Sequence, residues 1–212
     1  MRAFTDDHAR IVAVLRVNTT VVAVVAPATG DVSPLEQVRA ANVRVLRPDA
    51  DAPALDRAIA AWEQARRTNT PYLLHDADPL AWVANAWARR FQQEDSPGDL
   101  EVAVAETLAR WRARSLDLPD YYLLADPEGL SPILRHWFLG LLGSTAPSRV
   151  VTGRAGPPLV DRLADLHPGP WWPDLDRLLA GLDRVLPEQL GRTAATIPPP
   201  PTPSGPAELI EP

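Results

Sequence analysis

Short apolar runs alternate along this chain with longer segments in which apolar residues recur every three or four positions. The clearest run is TVVAVVAP, residues 20–27, nearly continuous in Val and Ala. A strand covered on both faces reads this way, because neither face is left to carry polar residues. Shorter runs follow at NVRVLR (42–47), YLL (72–74), DYYLL (120–124) and SRVVT (148–152). The intervening segments show helical stripes: Leu55, Ile59 and Trp62 within 51–67; Leu80, Val83, Trp87 and Phe91 within 80–91; Leu100, Val104, Leu108 and Trp111 within 100–115. Each stripe places its apolar residues on one side of a helix.

Ser131 with Pro132 marks another helix start. There Ile133, Leu134, Trp137, Phe138 and Leu141 are apolar all round, which predicts burial against sheet and neighbours alike. Gly143 and Pro147 end that helix. Helices are also expected at 158–167 and 174–185. Thr5 can cap a helix with Ile11, Val14 and Leu15 on one face, a strand at Arg10–Val17 being the alternative, and Ser33, Pro34 and Glu36 fit a capping box opening a short helix. Trp62, Trp87, Trp111 and Trp137 fall on the stripes and are expected in the core.

Five short strands separated by helices predict a three-layer α/β fold. Its sheet is five-stranded and mainly parallel, with helices on both faces, as in Rossmann-like and flavodoxin-like proteins. The strand order is not legible at this level. Residues 1–192 are read as one domain. Residues 193–212 form a Pro-rich tail, seven of whose last fifteen residues are proline, and proline joins neither sheet nor helix for long.

Composition narrows the classes. The chain has no cysteine, so disulfides and thiolate metal sites are excluded. All 21 basic residues are arginine, as a GC-rich coding bias would produce, and the net charge is −6. The broad positive field typical of nucleic-acid binding is therefore lacking, and no nucleic-acid partner is expected. No stretch of 18 apolar residues occurs, so no membrane span is expected. MRAFTDDHAR carries acids where a signal peptide carries bases, and the expected location is cytoplasmic.

In a parallel sheet covered on both faces, ligands bind beyond the carboxyl ends of the strands. The loops there are APATGD (26–31), RPDAD (47–51), HDADP (75–79), ADPEG (125–129) and TGRAGPP (152–158). Four carry acids and the fifth carries Arg154. Asp76 and Asp78 lie two apart after a strand, so both carboxylates can reach one Mg²⁺ or Mn²⁺. Asp78 and Asp126, each before a proline, also fit helix capping. Asp76, Asp126 and His136 are the candidate catalytic residues, His136 or Arg135 turning toward Asp126 to form a base–orienter or anion-binding pair. His75, Arg135 and Arg154 are candidate ligand contacts. No glycine-rich phosphate loop, GxSxG elbow or HExxH pair is present.

LLHDADP resembles the metal-binding pair of nucleotide-sugar-dependent glycosyltransferases, and also that of the toprim nucleotidyl-transfer domain. The likeness covers fewer than ten residues. Toprim domains carry a Glu just after their first strand, where this chain has Ala26 and Pro27. Two functions follow from the sequence. The first is a non-catalytic module binding a partner or ligand, with a protein partner held through Trp171 and Trp172 or through the tail. The alternative is a divalent-metal-dependent transferase or hydrolase acting on a phosphate-containing substrate through Asp76, Asp78 and Asp126.

Overall fold

The computed structural model describes residues 19–27, 34–92, 96, 98–152 and 159–182. The expected helix over residues 5–17, the Ser33 cap, Arg154 and the Pro-rich tail lie outside them. Five strands form the sheet: β1 (Thr20–Val25), β2 (Val43–Val45), β3 (Tyr72–His75), β4 (Tyr121–Leu124) and β5 (Val150–Thr152). All neighbours are parallel, in the order β2-β3-β1-β4-β5. The fold is thus the expected parallel-sheet α/β architecture with helical layers on both faces.

β1 lies at the centre, between β3 and β4, which explains why its run has no polar alternation. Val22 and Val24 face one side with Leu74, Tyr121 and Leu123. Ala23 faces the other with Tyr122 and Leu124. The second face carries the main helices: α1 (Ala54–Ala65), α2 (Ala81–Gln92), α3 (Asp99–Arg112) and α4 (Pro132–Arg135). A terminal helix, α5 (Leu175–Ala180), packs into the same layer. Trp87 and Trp137 are fully buried there, as their stripes require, while Trp62 and Trp111 are half-buried at its margins.

Among the described residues, the first face is covered more thinly. Its apolar cover comes from the 3₁₀ turns Pro34–Gln37 and Asp161–Asp165, through Leu35 and Leu163. An α-helix was expected over 158–167. His167-Pro168 cuts it short: the residue before proline avoids the α region, and Leu166 is already extended at ψ 114°.

Helix α4 also departs from expectation. It runs without a break into a π-helical segment, His136–Leu142, before a last α turn, Gly143–Thr145. The widened turn lays the His136 ring over Gly140, where a Cβ would stand 2.3 Å from Nδ1. Only glycine leaves room for that ring.

The amino edge of the sheet is tied by long-range polar contacts. The Val21 amide donates to Asp120 Oδ2 at 2.6 Å. Arg149 is buried, and its guanidinium donates to the carbonyls of Pro170 (2.9 Å), Gly169 (2.7 Å) and Asp120 (3.3 Å). It also lies 5.1 Å from the Tyr121 ring centre and 4.7 Å from that of Trp171. Trp172 is buried too, its indole N–H donating to the Pro119 carbonyl at 2.7 Å. The Trp171-Trp172 turn is therefore mostly a closure of the core. Trp171, 39% exposed, keeps a surface, and Trp172 does not.

Candidate functional site

The connections fix where a crevice lies. From β1 the chain passes over the thinly covered face to reach β2. From β2, β3 and β4 it passes over the other face, in the opposite direction along the sheet. The outgoing loops therefore diverge on either side of β1, and ligands of such sheets settle beyond the carboxyl ends at that divergence. On the β4 side the loops meet closely. A Cβ on Gly129 would lie 2.5 Å from Pro27 Cγ and 2.6 Å from Asp126 Oδ2, so Gly129 lets the loop after β4 press on the exit of β1. Asp76 and Asp78 stand on the β3 side.

Asp78 is the best-anchored of these groups. Its Oδ1 accepts the Leu80 amide at 2.8 Å, closing the turn that opens α2, and the Tyr122 hydroxyl at 2.7 Å. The second bond joins residues 44 positions apart and crosses over β1. Ala23 makes it possible: it is paired with His75 on one side and Tyr122 on the other, and its methyl leaves the space above the strand open. Burial raises the Asp78 carboxyl to about 6, outweighing the two donors that favour its charged form. Burial also pushes the Tyr122 hydroxyl well above its ordinary value, and the adjacent Asp78 charge adds to this.

His75 ends β3 on the same face, 4% exposed. Burial lowers its imidazole to about 4, against a hydrogen bond with the Ala77 backbone that favours the protonated ring; the Arg57 charge lowers it further. It is a neutral ring at physiological pH.

The remaining candidates are distributed otherwise. Asp76 is exposed and pairs with Arg57 of α1 at 3.1 Å. Asp126 Oδ1 accepts the Gly129 amide at 3.2 Å, an Asx-type turn that stabilises its own loop. Arg135 pairs with Glu128, not Asp126. His136 turns inward, stacked on Trp87 with ring centres 6.1 Å apart. Burial lowers its pKa, and neither ring nitrogen has a protein partner. The expected pairing of His136 or Arg135 with Asp126 is therefore not made: the guanidinium is taken by Glu128, and the π segment carries the imidazole onto Trp87. Among the described residues no group of three or more His, Asp or Glu is placed to hold a metal ion.

Sequence reasoning passed over Tyr122 and Arg57. Tyr122 carried a signal: a hydroxyl in an otherwise apolar central strand must find a partner once buried. Arg57 carried none, being one polar position on a helix face. No protein-family model, curated protein or solved structure matches this chain. No described helix is long and apolar enough to cross a membrane.

Proposed function

We propose that the protein binds a small hydroxyl-bearing ligand, of the nucleotide or nucleotide-sugar class, in the crevice between the carboxyl ends of β1 and β3. The observation that carries this reading is Asp78. Both of its hydrogen bonds go to Oδ1, from Tyr122 and Leu80. Oδ2 is then left as an oriented acceptor for a ligand hydroxyl, at the point where the outgoing loops diverge. A carboxylate held in one rotamer loses little entropy on binding. Its burial is unfavourable to the fold by itself, and ligand-binding positions commonly keep such groups.

Thermal melting at pH 7.5 with ADP, UDP-glucose and ribose, each with and without Mg²⁺, tests it. A ligand at a hundredfold excess over its Kd adds about 2.7 kcal/mol to the native state, a rise on the order of 5 °C for a domain of this size. Asp78→Asn should abolish the response while preserving the fold. A response that persists in that variant, or none to any probe, sinks the reading.

A second reading keeps Asp76 and Asp78 as a Mg²⁺ or Mn²⁺ pair serving phosphoryl or glycosyl transfer. It is favoured by two carboxylates leaving one strand end. It requires the cation to displace Arg57 from Asp76. Stabilisation by Mg²⁺ alone, lost in Asp76→Asn, distinguishes it from the metal-free reading.

A further inference from the structure

The helix that begins at Pro132 changes character at His136, and nothing in the crevice accounts for that change. Residues His136–Leu142 are wound as a π-helix, a form that occurs mostly as short insertions and often at functional positions. Its first side chain is an imidazole stacked on Trp87 of α2, ring centres 6.1 Å and planes 21° apart. The same ring covers Gly140, where a Cβ would stand 2.3 Å from Nδ1 and 2.5 Å from Cε1.

His136 sits at the boundary of the core. The residue is half-buried, yet both ring nitrogens are closed off from solvent and neither has a partner in the protein. A neutral imidazole brings one N–H and one lone pair to this place; an imidazolium brings two N–H groups and a charge. Its surroundings do not match the charge. Trp87, and Trp137 packed on it, contribute indole N–H groups, which donate and cannot accept. Helix α2 has no acid, and its two charged residues, Arg89 and Arg90, pair with Asp99 and Glu101 of α3. Helix α4 and the π segment have no acid either, and Arg135, the residue before His136, pairs with Glu128. Burial alone lowers the His136 pKa, without a contribution from any charged neighbour. The Trp87 face is the one attraction for a cation, and the 6.1 Å separation stands at the limit of such a contact, about 6 Å.

We infer that His136 is a proton-operated latch on the helical layer. Neutral, its ring closes over Trp87 and Gly140; protonated, it swings out to solvent and uncovers the Trp87 ring. The π turn brings Gly140 beneath the ring, and the missing Cβ permits the closed position. The latch is independent of the crevice between β1 and β3.

Ring-proton NMR of the full chain between pH 7.5 and pH 4 tests this, with His136→Gln identifying the His136 signals by their loss. At pH 7.5 the ring protons should be displaced by the Trp87 ring current. They should move to the positions of a solvated imidazolium with a midpoint below the ordinary 6.5, while the far-ultraviolet circular dichroism stays that of the folded protein. Gly140→Ala should hold the latch open: its His136 signals should be undisplaced at pH 7.5, and its midpoint should return toward 6.5. Should that variant fail to fold, the wild-type titration decides alone. A protonated ring that keeps its displacement, a midpoint at or above 6.5, or a ring that stays neutral to pH 4 or protonates only on unfolding overturns the inference. So does a folded Gly140→Ala variant with wild-type His136 signals.

Discussion

The two ends of the sheet use their acids differently. At the amino edge, charged and polar groups are spent on the backbone of distant segments. Arg149 binds three carbonyls, Trp172 binds a fourth and Asp120 holds the Val21 amide of β1. At the carboxyl edge the buried Arg162 also donates to a distant carbonyl, that of Ala125 at 3.0 Å, but the acids are used locally: Asp126 serves its own loop, and the exposed Asp76 pairs with the half-buried Arg57. Of these three acids Asp78 is the one that reaches across the sheet, and it does so against its own desolvation. The contrast separates groups that hold the fold from groups the fold holds. A buried cation that donates to three carbonyls stabilises by its hydrogen bonds, whereas a carboxyl raised to about 6 is less stable ionised than it would be in water.

The sharpest way to break the comparison is Arg149→Met. It should destabilise by about 3–5 kcal/mol, because three carbonyls lose a charged donor and two rings lose their cation. Urea unfolding would show this as a lower midpoint at unchanged slope. A loss below 1 kcal/mol would mean that the amino edge is no clamp.

The carboxyl edge should respond in the opposite sense. Asp78→Asn keeps an N-capping residue and an acceptor for Tyr122 but removes the ionised form. It should leave the protein as stable as wild type or up to about 2 kcal/mol more stable at pH 7.5, while eliminating ligand binding. Destabilisation beyond 1 kcal/mol would move Asp78 into the class of Arg149.

The pH profile sharpens this further. Asp78 is raised from 3.8 to about 6, so the native state binds more protons and this group's contribution to stability falls as pH rises across that window. His75 is lowered from 6.5 to about 4, so the unfolded state binds more protons and its contribution rises with pH over nearly the same window. Each is worth about 3 kcal/mol end to end by the usual conversion, and they oppose. Wild-type stability should therefore vary little from these two groups between pH 4 and 6. Asp78→Asn should unmask a rise with pH, and His75→Leu a fall. Parallel profiles in all three proteins would show that the two groups are not shifted in this way.

The smallest effect is expected at Asp76. Its pair with Arg57 is partly exposed, and such pairs contribute about 0–1 kcal/mol. Asp76→Asn should shift the urea midpoint by less than about a third of the Arg149→Met effect.

Much of the architecture was legible in the residues. The Val-Ala run of β1 announced a strand covered on both faces, and the stripes through Trp87 and Leu100 announced the helices that cover it. These readings rest on local periodicity, which follows directly from 3.6 residues per helical turn and two per strand. The π segment after Arg135 was not legible, since HWFLGLL carries the same apolar spacing in either helix type. Asp78 was legible as a cap, and its role as a cap is met by the Leu80 amide. The hydroxyl of Tyr122 on the same oxygen was not.

The sequence by itself determined where the five strands and most of the helices lie, which apolar runs are buried, and that the acids gather at one edge. Only the tertiary structure decided what those acids meet. Strand order set β4 beside β1 and so brought Tyr122 to Asp78, and the return of the chain after β5 laid the Trp171-Trp172 turn over Arg149. The reason is physical. A strand–helix unit buries the same apolar face whichever neighbour it joins, so its sequence carries little record of the neighbour. The polar contacts that define a site depend on that choice entirely.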